Sequence, residues 1–320
     1  MVASSIGDSP SWLRLGWPPV SSLGDRLRQL WPRRSVLGAL LLGTGGGYLW
    51  GRAGDDVLSS VVAPEGPSGP VAKAEGKTHQ ITLVAGQVAD NLTYNGTVPG
   101  PTIEVVEGDT VELTLVNELD VDASVHVHGV HYDITSDGTR HSKSFAPPGG
   151  RYTYRWFAAA GTAGYWHYHD HVINRPEQPP ETREHEGSGG IDRGLYGAVI
   201  VRRPGEALPD KTFVIVMIEN TLNGLRFPNA PFLEAREGER VEFVIIGHGD
   251  FFHTFHLHGH RWVDPGTFRL LDTKTVGPAE SFGFQVIAGE GVGPGDWMYH
   301  CHVHDHMDMG MFGFFHVMPK

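Results

Sequence analysis

The stretch PTIEVVEGDTVEL (residues 101–113) returns without a gap as PFLEAREGERVEF (residues 231–243), at an offset of 130. Each copy follows an Asn-Gly pair, Asn95-Gly96 and Asn223-Gly224. A period this long marks a duplicated domain, because solenoid repeats are much shorter. Around both copies lie short β-rich runs separated by Gly, Pro, Asn and Asp. They cover residues 80–85, 102–106, 110–116, 151–157 and 198–201, then 212–218, 240–246, 281–286 and 312–317. Several alternate in polarity and none of the strongly patterned runs has helical spacing. The expected fold is therefore all-β, two antiparallel sandwiches cut near Pro204, with domains over 77–204 and 205–320. The polar loop Asn174–Gly190 has no counterpart in the second half and reads as surface decoration.

Composition narrows the function. The 320 residues carry 19 histidines and one cysteine, which excludes a disulfide framework and a thiolate-rich zinc module. The formal charge of −12 argues against nucleic acid as a partner. Residues 1–54 differ from the rest, with six arginines against two aspartates. There Arg33-Arg34 precedes a short apolar, Gly-rich run, the pattern of a Tat-type export signal. That run is shorter than a spanning helix needs, although a retained anchor is the alternative. Residues 55–76 read as a flexible lead-in, and the expected destination is secreted or cell-envelope.

The histidines repeat with the domains. His126 and His128 map onto His256 and His258 at the offset of 130, and residues 165–169 resemble 298–302 at an offset of 133. His167/His169 are thereby matched with His300/His302. Residues i and i+2 of a strand share a face, so each His-x-His pair delivers two imidazoles to one side. Neutral imidazole suits copper, zinc, iron and nickel. Cys301, between His300 and His302, must point to the opposite face, where His253, His306 and Met311 can join it. Two histidines, a thiolate and a distant thioether make a blue-copper set.

These motifs resemble the two-domain bacterial multicopper oxidases called small laccases, over residue 75 to the end. They are His126-Val127-His128-Gly129, Trp166-His167-Tyr168-His169, His253-Thr254-Phe255-His256-Leu257-His258-Gly259 and His300-Cys301-His302 with His306 and Met311. The resemblance implies two cupredoxin-like Greek-key domains and four coppers per subunit. His253, Cys301, His306 and Met311 would hold type 1 copper. His126 and His256 would hold type 2, and His128, His167, His169, His258, His300 and His302 the type 3 pair. Tyr168 would stand in the cysteine's place in the first domain, with Ala123 and Ile173 opposite His253 and His306, leaving that domain without a blue site. Copper nitrite reductases share the two-domain plan but carry the blue site in the first domain.

The same resemblance implies oxidation of phenols, aromatic amines or metal ions coupled to reduction of dioxygen to water. Asp137 would be a proton donor and Tyr132 a redox or proton partner near type 2 copper. It also implies a homotrimer with the trinuclear site shared between subunits, while the sequence itself leaves a site within one subunit open. A copper carrier is the rival class, needing only the blue set. A cuprous-ion oxidase usually brings a methionine-rich insert, and only seven Met occur here.

Overall fold

The computed structural model of the protein describes residues 76–320, so the expected signal region and the lead-in up to residue 75 lie outside the described residues. The first half contributes β1 (Thr78–Val88), β2 (Asn91–Tyr94), β3 (Gly100–Val106), β4 (Thr110–Asn117), β5 (His126–Val127), β6 (His131–Tyr132), β7 (Arg151–Phe157), β8 (Gly164–His169) and β9 (Tyr196–Arg202). The second contributes β10 (Lys211–Ile218), β11 (Thr221–Leu222), β12 (Phe232–Arg236), β13 (Arg240–His248), β14 (His253–Leu257), β15 (Trp262–Val263), β16 (Leu270–Leu271), β17 (Thr273–Val276), β18 (Ser281–Ile287), β19 (Gly295–Cys301) and β20 (Phe312–Met318). Two short helices interrupt them, α1 (Gly189–Asp192) and α2 (His304–Asp308).

Each half is a sandwich. In the first, the sheet β2-β1-β4-β7-β6 packs on β3-β9-β8-β5; in the second, β11-β10-β13-β18 packs on β12-β20-β19-β14-β17. The alternation in β4 does what its sequence requires, burying Val111, Leu113 and Leu115 and leaving the residues between half-exposed. The sandwiches are not purely antiparallel. β1 runs parallel to β4, β3 to β9, β10 to β13 and β12 to β20. The cause is connectivity. After the β1–β2 hairpin the chain crosses to the other sheet as β3, and returns beside β1 in the same direction as β1.

β9 is buried along its whole length because both its faces are covered. Val199 and Val201 enter the first domain's core, whereas Tyr196, Ala198 and Ile200 pack against Val216, Ile218, Val244 and Ile246 of the second. Beside this apolar seam lies a buried ion pair. Arg202 of β9 donates to both carboxylate oxygens of Glu242 on β13, at 2.6 and 2.7 Å, with the two side chains 1% and 0% exposed. Glu242 also accepts from Tyr165, Thr212 and Gln285, and Arg202 also reaches Glu104 and Glu206. Burial works against the arginine's charge, but these carboxylates more than offset it and hold its pKa above the ordinary value. The Tyr165 ring lies over Gly283, where an added Cβ would come within 2.5 Å of it. The two domains are thus fixed against each other by packing and by charge.

Candidate metal centres

In the first domain β5 pairs with β8 so that His126 faces His169, and His128 N–H donates to the His167 carbonyl just beyond. In the second, β14 pairs with β19 so that His256 faces His300 and Phe255 faces Cys301. The chain turns away directly after each His-x-His pair at a glycine with positive φ, Gly129 and Gly259. A side chain there would strike Trp166 or Trp297, within 1.9 and 2.6 Å.

Three groups of ligand-type atoms converge, each within 4.8 Å: His126, His128 and His169; His256, His258 and His300; and His253, Cys301 and His306. The first two are near copies. Ring centroids lie 5.0 Å apart for His126–His128 and 4.9 Å for His256–His258. They are 5.3 Å apart for both His128–His169 and His258–His300. The Nε2 atoms of His128 and His169 are 3.1 Å apart, and those of His258 and His300 are 3.2 Å apart.

This correspondence shifts the register read from sequence. Trp166 and Trp297 cover equivalent glycines, Tyr168 and Tyr299 both donate to the carbonyl of an equivalent proline, Pro101 and Pro231, and His169 matches His300. The spatial offset across this strand is therefore 131, against the 133 expected. His171 then matches His302. Its ring stands 5.3 Å from His126 and 5.6 Å from His169, where His302 stands 5.5 Å from His256 and 5.2 Å from His300. His167 falls outside this pattern. It stacks on His128 at 4.0 Å and donates through Nε2 to the Ala279 carbonyl in the second domain, 3.1 Å away. The counterpart of Cys301 is Asp170 rather than Tyr168. Asp170 is fully buried and accepts N–H bonds from Ser124, Val172 and Ile173. Tyr168 and Ala123 are core residues, as is Ile173.

The donor chemistry fits copper. His126, His169, His256 and His300 each donate Nδ1–H to a backbone carbonyl, which fixes the tautomer and leaves Nε2 free for a metal. Burial, with neighbouring imidazoles adding to it, lowers the pKa of His128 to about 4 and that of His169 well below its ordinary value. Burial does the same to His253, to about 4, with His306 adding to it. Neutral imidazole is the ligating form. In the third group the Cys301 Sγ lies 3.8 Å from His253 Nδ1 and 3.5 Å from His306 Nδ1, wholly buried. Met311 is buried in the same core cluster and its carbonyl accepts from Cys301 N–H.

Asp137 and Tyr132 stand beside the first group. The Asp137 carbonyl holds His126 Nδ1, its carboxylate lies 3.7 Å from the same atom, and the Tyr132 ring is 6.1 Å from His126. Burial raises the Tyr132 pKa, and the Asp137 carboxylate adds to this. Two contributors were not anticipated. The loop Asn174–Gly190 does more than decorate the surface: Glu186 accepts from Arg140 and His141 N–H and pairs with His171, and Arg175 bridges Asp192 and Asp250. His248, at the end of β13, packs its ring against His167 and His169. Neither lies in a repeated motif; Glu118 occupies the first-domain position corresponding to His248.

The two imidazole quartets do not meet. Among the described residues no histidine ring of the first packs against one of the second, and His258 and His302 are exposed.

Comparison with known proteins bears on the whole of this arrangement. The chain is 37% identical over 246 residues to the "Probable nitrite reductase-hydroxylamine oxidoreductase fusion protein" of Kuenenia stuttgartiensis, covering 69% of this chain and 28% of that one. It is 30% identical over 191 residues to the multicopper oxidase MmcO of Mycobacterium tuberculosis, covering 54% and 34%. The chain thus spans about a quarter to a third of the length of these curated relatives. A crystal structure of a multicopper oxidase superposes with a TM-score of 0.60 at 25% identity, covering 78% of this chain and 93% of that one. The copper nitrite reductase of Nitrosomonas europaea shares the fold at 22% identity with a TM-score of 0.60, covering 75% and 94%. Multicopper oxidase family models match residues 76–206 and 204–320, that is, both sandwiches with all three of their ligand groups, and the chain belongs to the multicopper oxidase family.

Proposed function

We propose that the protein is a laccase-like oxidase, coupling one-electron oxidation of phenols or similar donors to four-electron reduction of dioxygen to water. One observation carries this reading. At the end of β19, Cys301 turns towards His253 and His306 while the adjacent His300 turns towards His256 and His258, so a single peptide unit separates two ligand groups. A copper carrier would need only the Cys301 group. The proposed ligands are His253, Cys301, His306 and Met311 for type 1 copper, and His126 and His256 for type 2. His128, His169 and His171 with His258, His300 and His302 would hold the type 3 pair, so that His171 takes the part first given to His167.

Copper, when bound, supplies the one-electron redox chemistry of the donor and the reduction of oxygen. The chain's residues supply access, orientation and protons. His306 is half-buried beside the exposed Phe251, whose ring lies 5.8 Å away, so an aromatic donor can reach the edge of that imidazole. Asp137, next to His126 and linked to Tyr132, is placed to deliver protons near the first-domain group. Because the quartets lie apart and His258 and His302 are exposed, we read the trinuclear site as completed between chains, in a closed homotrimer. Export through the Arg33-Arg34 segment belongs to the same reading and is checked by fractionating producing cells.

The test is anaerobic reduction of the copper-loaded protein followed by oxygen. Full reoxidation with water as product is expected, slowed in Asp137→Asn without loss of the blue absorption. Failure to reoxidise would leave a carrier. The nitrite reductase relative makes nitrite the other acceptor to assay, and reoxidation by nitrite but not oxygen would replace the oxidase reading.

A further inference from the structure

Three buried histidines remain outside the ligand set among the described residues: His260, whose two ring nitrogens are both hydrogen-bonded, and a pair that is not so satisfied. His167 comes from the first domain and His248 from the second, with ring centroids 4.8 Å apart and planes nearly perpendicular. Each keeps a buried nitrogen without a hydrogen-bond partner, His167 Nδ1 and His248 Nε2. Leaving such groups unsatisfied costs about 1–3 kcal/mol each, so packing alone is a poor explanation for imidazole at both positions. The perpendicular geometry lets an N–H meet an imidazole face, a weak but real contact.

What the pair touches defines its part. His167 stacks on His128, and the His248 ring also lies 5.4 Å from His169, both in the first-domain quartet. His248 is held rigidly. Gly247 N–H donates to the Glu280 carbonyl, and Ala279 N–H donates to the Gly247 carbonyl. Gly247 itself approaches Gly277 so closely that a Cβ would fall 2.3 Å from its carbonyl oxygen. The Ala279 carbonyl that fixes His167 Nε2 and the ring that abuts His167 and His169 therefore belong to one hydrogen-bonded unit of the second domain. The same residues, His248 to Asp250 with Pro278 and Ala279, wall the cleft of about 260 Å³ onto which His126, His128 and His169 open.

We propose that His248 is a positioning residue for the first-domain copper ligands of its own chain, acting on His128 through His167 and on His169 directly. The second domain thus shapes both half-sites of the chain, its own through β14 and β19 and the first domain's through the end of β13. This rests on the proposed copper assignment. Outer partners of ligating histidines typically govern about 10- to 100-fold of metal affinity.

The experiment compares wild type, His248→Ala and His248→Phe, each copper-loaded, by chelator competition for non-blue copper, electron paramagnetic resonance of the non-blue cupric signal, and blue absorption. His248→Ala is expected to release non-blue copper about 10- to 100-fold more readily and to shift its resonance, with the blue absorption retained. His248→Phe, which restores a ring against His167 and His169 but not its nitrogens, is expected to recover only part of that affinity. Unchanged non-blue copper in His248→Ala would overturn the proposal. So would parallel loss of blue and non-blue copper with a lowered unfolding temperature, which marks general destabilisation. A wild-type protein that binds blue copper alone would instead overturn the copper assignment beneath it.

Discussion

Replacing Cys301 by serine is expected to abolish the blue absorption and to reduce donor oxidation below about a hundredth of wild type, beyond what loss of an outer metal partner costs. Serine keeps the size of the side chain and removes the thiolate. The residue is fully buried between His253 and His306, 3.8 and 3.5 Å from their Nδ1 atoms, and is the chain's one cysteine, so no other side chain can supply a thiolate there. The neighbouring group is expected to survive, because His300 is fixed by its own Nδ1–H bond to the residue 301 carbonyl and by the β14–β19 pairing. Visible absorption together with copper content checks both halves of the expectation. Blue absorption persisting in Cys301→Ser would remove the type 1 assignment. Burial also keeps the Cys301 thiol out of reach of oxidants in solution.

Arg202→Met is expected to be the most destabilising single change at the domain seam. Breaking a buried ion pair by removing one partner costs about 3–5 kcal/mol, because the other charge stays buried. Glu242 would keep only Tyr165, Thr212 and Gln285 as neutral donors, with no exposure to water. The reverse change, Glu242→Leu, is expected to cost less, since Arg202 retains Glu104 and Glu206. The double variant should fall below the sum of the two. At about 2–4 °C per kcal/mol for a chain of this size, the Arg202→Met midpoint is expected to drop by about 6–20 °C in thermal unfolding. A drop of a degree or two would show that the apolar seam of β9 fixes the domains without the ion pair.

The strands and the copper chemistry were legible because both rest on local pattern. Alternation in residues 110–116 and the His-x-His spacing each dictate which side chains share a face, whatever the tertiary context. Parallel pairing was not legible, because it depends on a crossover between sheets that no local pattern records. The ligand register failed for a more instructive reason. His167, His169 and His171 offer two overlapping His-x-His pairs, and matching imidazoles alone cannot choose between them. The anchors that choose are Trp166 with Trp297 and Tyr168 with Tyr299. One pair is set by the glycine each tryptophan covers, the other by the proline carbonyl each tyrosine reaches. Those residues stand in the sequence at the correct offset, so the signal was present, but only packing shows that it outranks the histidines. His248 lacked any such signal. Its counterpart in the repeat is Glu118, not a histidine, and its contacts exist only once the domains dock.

The most direct test of the account is complementation between half-site variants. His126→Ala damages only the first-domain quartet and His256→Ala only the second, and each protein alone is expected to lose donor-driven oxygen reduction. Co-produced in one cell, they should form mixed assemblies in which an intact first domain meets an intact second domain from another chain. A ring of three with one such junction should recover about a third of wild-type activity. A co-produced mixture as inactive as its parents, with mixed assemblies verified by mass, would contradict a site shared between chains.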